Sequence, residues 1–235
     1  MSDEKSLKYN EPWILQRADP YVYRHTDGSY YFTASVPAYD GIVLRRAGTL
    51  AELSGAEEVM VWKKHESGPM SYHIWAPEIH YLFGKWYIYF AGGEAEDIWK
   101  IRPYVLECSG DDPLTDEWVE LGKMKRAAED EFSFEAFSLD ATVFENKGEY
   151  YYVWAEKVGV GKMISNLYIA KMESGNQLKT VQVLLTTPDY DWERKGFWVN
   201  EGPAVIHHDG KMFLTYSASE TGVDYCVGTV SYTHL

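Results

Sequence analysis

Three carboxylates, Asp19, Asp140 and Glu201, sit at matching points of a pattern that the chain repeats four times. Each repeat opens on a small-residue or proline step, runs through alternating apolar residues, turns at a glycine, and returns as an aromatic-rich strand. The openings are Asp19-Pro20-Tyr21-Val22-Tyr23, Trp75-Ala76-Pro77-Glu78-Ile79, Asp140-Ala141-Thr142-Val143-Phe144 and Glu201-Gly202-Pro203-Ala204-Val205, and the turn glycines are Gly28, Gly84, Gly148 and Gly210. Counted back from the glycines, Asp19, Trp75, Asp140 and Glu201 fall at one station. Acids gathered at one place can break a glycosidic bond. One carboxylic acid protonates the departing oxygen, while a carboxylate on the other side activates water or attacks carbon. Burial and a neighbouring negative charge keep the proton on the acid near neutral pH. Glu201, between Trp198-Val199 and Gly202-Pro203, suits a desolvated acid. Asp19 is a short side chain on the stiff Ala18–Pro20 backbone. Asp140, among Ser138, Leu139 and Ala141, suits a third charge that orients the acid and raises its pKa. Read singly, each is one of 36 acids, and an aspartate before proline is more often a turn residue than a catalyst. The shared station makes them a candidate site.

The glycines recur at intervals of about sixty residues with hairpin content in every unit, the mark of a propeller built from small antiparallel sheets. Asp27-Gly28 and Asp209-Gly210 read as tight hairpin turns, and Lys147-Gly148 and Phe83-Gly84 as weaker ones. Further strand-like runs, Gly41–Leu44, Glu58–Trp62, Arg102–Glu107, Asn166–Ala170 and Val181–Leu185, would be the outer strands. No long segment has helical periodicity, and residues 127–135 read as a loop or a short helical turn. Innermost strands that run the same way along a common axis would carry the acids to one mouth. A fifth turn glycine, due near position ~270 by this period, lies beyond the last residue. The expectation is an all-β propeller with about four blades: an extension over residues 1–12, then a C-terminally incomplete propeller over 13–235. The final segment, from Val230, reads as a strand that stops abruptly, with its last five residues foreign to the gene.

A net charge of −14 argues against a nucleic-acid partner, because phosphate contacts need basic surface. Cys108 and Cys226 are the only cysteines, too few for a disulfide framework or a zinc site. No apolar stretch is long enough to span a bilayer, and the first residues lack a leader's apolar core, so a cytoplasmic protein is expected. Aromatics make up 16% of the chain. Most should serve strand packing, and a minority should offer faces to sugars.

Arg17-Ala18-Asp19-Pro20, Ile74-Trp75-Ala76-Pro77-Glu78, Ser138-Leu139-Asp140-Ala141 and Asn200-Glu201-Gly202-Pro203 together resemble glycoside hydrolase family 43. The resemblance runs from about Trp13 to Gly228. It implies a five-bladed β-propeller that hydrolyses α-L-arabinofuranosides or β-D-xylosides with inversion. By the same resemblance Asp19 is the general base, Asp140 the pKa modulator and Glu201 the general acid. Tyr30–Pro37, Ile101–Glu107 and Phe197–Pro203 are most similar to exo-acting α-L-arabinofuranosidases of 1,5-linked arabinan. The resemblance also implies a fifth blade, with a histidine near the axis and in many members a bound ion. This sequence has no counterpart of that blade, so no metal ligand is assigned and no cofactor is predicted.

Trp75, Phe137 and Trp198 are candidate sugar contacts, with Tyr39 and Trp99 as weaker ones, each set against a plain packing role. His73 is a residue that could border the funnel. His207 and His208 read as surface, as do Glu94 and Asp97. The expected substrate is an arabinose-containing oligosaccharide or polysaccharide, with no nucleic-acid or membrane partner. Alternatives are a β-D-xylosidase or endo-arabinanase of the same family, or a non-catalytic carbohydrate-binding or inactive propeller fragment.

Overall fold

The computed structural model describes residues 12–158 and 164–232. These form sixteen strands, and their helical content is two 3-10 turns, Leu50–Ser54 and Asp191–Glu193. Residues 1–11 of the expected extension and 233–235 of the final segment lie outside the described residues. The first sheet is antiparallel, in the order β1 (Ala18–Arg24), β2 (Tyr30–Ser35), β3 (Gly41–Ala47), β4 (Val59–Lys63). The second repeats that order with β5 (Tyr72–Leu82), β6 (Lys85–Glu94), β7 (Asp97–Cys108) and β8 (Val119–Lys123). A third unit joins β9 (Ser138–Asn146), β10 (Glu149–Val158) and β11 (Ile164–Ser174), with β12 (Gln177–Leu178) and β13 (Val183–Thr186) on β11. The fourth has β14 (Trp198–His208), β15 (Lys211–Ala218) and β16 (Cys226–Tyr232). A short parallel pairing, Ile164 with Trp198 and Ser165 with Val199, ties the third unit to the fourth. Each expected outer run overlaps a strand, β3, β4, β7, β11 or β13, although Glu58 and Val181-Gln182 fall just before β4 and β13.

Middle strands are buried on both faces, which is why they read as unbroken apolar runs. Trp86-Tyr87-Ile88-Tyr89-Phe90-Ala91 of β6 is buried throughout. Its two faces serve two different cores. One packs Trp86, Ile88 and Phe90 against Tyr31, Ile42 and Leu44 of the first unit. The other packs Tyr87 and Tyr89 against Val143, Tyr152 and Trp154 of the third. A further core joins Val153, Leu167 and Ile169 to Leu214 and Tyr216 of the fourth. Ring pairs bridge these seams, Tyr31 on Trp86 at 4.8 Å and Tyr89 edge-on to Tyr152 at 5.5 Å. Most of the aromatic surplus is therefore packing between sheets.

The hairpins correct the turn reading. Leu82 pairs with Lys85, Asn146 with Glu149 and His208 with Lys211, so Phe83-Gly84, Lys147-Gly148 and Asp209-Gly210 are all two-residue turns. Both residues of each turn have positive φ, the geometry that matches the twist of paired strands. In the first unit Arg24 pairs with Tyr30, and Asp27-Gly28 sits inside a longer connection. Glycine at the second position is enough to form the tight turn; Phe83 and Lys147 tolerate the first.

Candidate active site

Each of the strands β1, β5, β9 and β14 carries a bulge where two residues face one on the partner strand. The bulged pairs are Asp19-Pro20, Ala76-Pro77, Asp140-Ala141 and Gly202-Pro203. The first residue of each is left-handed, with φ of 50°, 45°, 52° and 57°. Proline at the second place in three of the four fits, since an unpaired bulge position needs no amide donor. Aspartate tolerates the left-handed region better than most residues. The bulge also revises the shared station. Asp19 and Asp140 are equivalent, whereas Glu201 stands one residue earlier, beside Ala18, Trp75 and Leu139. Counting from the glycines conceals this because the first connection is longer than the other three.

The bulges aim backbone amides at the acids. Gly202 donates its N–H to Asp140 Oδ2 at 3.0 Å. Ala76 donates to Ser35 Oγ at 2.8 Å, and Ser35 donates onward to Asp19 Oδ2 at 2.7 Å. Glu201 Oε1 accepts from the Tyr225 hydroxyl at 3.0 Å. Asp19 and Asp140 line one cavity of about 320 Å³ with Tyr21, Glu78, Ser217 and Tyr225. Glu201 is not in its wall, and reaches the group through Tyr225 and through its charge.

Crowding of carboxylates in a poorly solvated place favours protons on them. Asp140 is pushed well above the usual carboxylate range by desolvation, then by the charges of Glu201 and Asp19; the Gly202 amide opposes this. Glu201 is also raised, by desolvation and by Asp19, while the Tyr225 hydrogen bond and the Lys157 ammonium pull it down. Glu78 is raised by burial, against hydrogen bonds from His80 and Thr142. His80 Nε2 lies 2.9 Å from Glu78 Oε2, and its Nδ1 lies 3.4 Å from the Tyr21 hydroxyl. Among the described residues no three of His, Cys, Asp and Glu are grouped to hold the ion that the resemblance implies for many members.

None of Trp75, Phe137 and Trp198 lines the cavity. Trp75 belongs to a ring cluster with His73 at 4.2 Å, Tyr39 at 5.9 Å and Trp99 at 6.4 Å, the last of them 61% exposed. Phe137 lies under the Lys157 ammonium at 4.0 Å, and Trp198 under the Arg194 guanidinium at 4.6 Å. His207 and His208 are exposed. Glu94 pairs with Lys100 at 2.9 Å. Ser35, Glu78, Lys157, Ser217 and Tyr225 have no role in the sequence reading. Glu78 was visible within the Trp75–Glu78 motif, on the same strand face as His80; the others carry no pattern.

Successive antiparallel sheets with acids clustered at their bulges are an architecture for acid–base hydrolysis. The profile of glycosyl hydrolases family 43 matches residues 9–234, and the chain belongs to that family. It is 49% identical over 94% of its length to an extracellular exo-α-(1→5)-L-arabinofuranosidase of Streptomyces chartreusis, covering 65% of that protein. It is 48% identical over 96% of its length to a protein of the same name from Streptomyces avermitilis, covering 46% of it. The crystal structure of an α-L-arabinofuranosidase from Lactobacillus brevis superposes with a TM-score of 0.84 at 51% identity, covering 94% of this chain and 69% of that one. The chain thus spans about half to two thirds of the length of these relatives. The expectation of a cytoplasmic protein is overturned, because both Streptomyces relatives are named extracellular.

Proposed function

We propose that this chain is the catalytic part of an inverting glycoside hydrolase that releases terminal α-L-arabinofuranosyl residues from arabinan or arabino-oligosaccharides. The observation that carries the reading is the cavity in which Asp19 and Asp140 meet, with Glu201 coupled to both. Support for the substrate comes from relatives at 48–49% identity that are named for this activity.

In this reading Asp19, steadied by Ser35, takes a proton from water as the water oxygen attacks C1. The bond from C1 to the departing oxygen breaks, and Glu201 gives that oxygen its proton. Asp140 is the proposed pKa modulator: its carboxyl and that of Glu201 oppose each other's ionisation, so a proton is retained for Glu201 to give, and the Asp19 charge raises Glu201 further. Inversion needs room for the water, so the Asp19 and Glu201 carboxyls should stand about 6.5–9.5 Å apart with substrate bound. Trp75, Phe137 and Trp198 are the proposed sugar contacts around this centre. The four units are proposed to be blades of a five-bladed propeller, whose last blade lies in the further length that the relatives have.

The test is Glu201→Gln, assayed on arabino-oligosaccharide and on an aryl arabinofuranoside with a nitrophenolate leaving group. Loss of roughly 10²–10⁴-fold on the oligosaccharide, with a smaller loss on the activated aryl substrate, is expected of a general acid. Full activity of E201Q on the oligosaccharide would remove Glu201 from that role.

A further inference from the structure

Glu201 has two oxygens, and a general acid works only when its proton is on the one facing the leaving group. Oε1 is already taken: the Tyr225 hydroxyl donates to it at 3.0 Å. Ser217 is the cross-strand partner of Glu201, and with Tyr225 it lines the cavity. Its Oγ also lies within 3.3 Å of where a side chain on Gly202 would begin, which leaves little freedom beside the bulge.

We propose that Tyr225 is a positioning residue that occupies Glu201 Oε1 and so confines the transferable proton to Oε2. The inference rests on Glu201 being the acid, and it assigns a function to a residue that otherwise only borders the cavity. The other charges that act on Glu201 are Asp19 of β1, Asp140 of β9 and Lys157 of β10, with Glu78 of β5 acting through Asp140. Asp140 also acts on Tyr225, and Tyr225→Phe deletes the donor while leaving all of these charged groups in place.

The experiment is Tyr225→Phe, which keeps the ring and deletes the donor. The titration of the Glu201 side chain is followed by carbon NMR of the labelled carboxyl, and the pH profile of kcat/KM is followed in parallel. Without the donor the carboxylate form is less favoured, so the Glu201 pKa should rise by about one unit in Y225F. The alkaline limb of the profile should move up with it. With the proton free to sit on either oxygen, turnover of the oligosaccharide should fall, and that of the activated aryl substrate should hardly change. An unchanged Glu201 titration in Y225F would overturn the proposal, because a packing role is preserved by phenylalanine. The general-acid reading fails separately, through an active E201Q.

Discussion

Asp140 is the most perturbed of the acids, and its surroundings explain why. Desolvation and the charges of Glu201 and Asp19 all disfavour its anion, and one amide hydrogen bond does not offset them. An acid whose folded pKa is raised adds nothing unfavourable below the ordinary carboxylate range, near about 4. Above that range the unfolded chain releases the proton more readily than the folded one, and stability is lost as pH climbs toward the folded pKa. D140N removes the titration and keeps an acceptor for the Gly202 amide. The melting temperature of D140N should therefore exceed that of the unsubstituted protein at pH 7–8, and the two should converge below about pH 4. A gap that is constant from acid to neutral pH would contradict this account of the charge crowding. Activity should fall in the same variant, since Glu201 then loses the neighbour that holds its proton. Stability and function are opposed at this residue.

The bulge on each innermost strand is the element that builds the site. A regular strand would send consecutive side chains to opposite faces, whereas the left-handed residue re-aims both the side chain and the amide. At Gly202 the φ of 57° suits glycine, and an added Cβ would stand 3.3 Å from Ser217 Oγ. G202A should cost roughly 1–2 kcal/mol of stability, read from the denaturant midpoint, and should weaken activity by disturbing the amide that Asp140 accepts. A G202A protein as stable as the parent would mean that the bulge is not under strain. The same element shows what the sequence makes legible. Apolar runs such as Trp86–Ala91 announce middle strands, because burial on both faces leaves no alternation to misread. The bulge is legible too, but in the prolines: Pro20, Pro77 and Pro203 mark its second residue. Alignment on the glycines slips by one in the first unit, where the connection is longer, and so places Glu201 level with Asp19. Tyr225 leaves no such mark. It precedes β16 in an irregular turn, and only the fold brings it to Glu201.

At the scale of the whole molecule the fourth unit is the exposed one. β16 ends its sheet with an open edge, and Ile206 and Val227 are 51% and 72% exposed. An open edge beside exposed apolar side chains favours self-association. If a fifth blade covers this side in the longer relatives, the chain alone should elute well above its 27.0 kDa mass, and an extension to the relatives' length should run as a single species. A monodisperse chain of 27.0 kDa with full activity would contradict the incomplete ring. The proposed mechanism is also a property of the whole, because Asp19 and Glu201 come from the first and fourth units and must act from opposite sides of the bound sugar. Proton NMR of the first arabinose released from an arabino-oligosaccharide, by the protein carried to its relatives' length, reads that geometry directly. The β-anomer should form first and mutarotate afterwards. Initial release of the α-anomer would contradict a single displacement by water between Asp19 and Glu201.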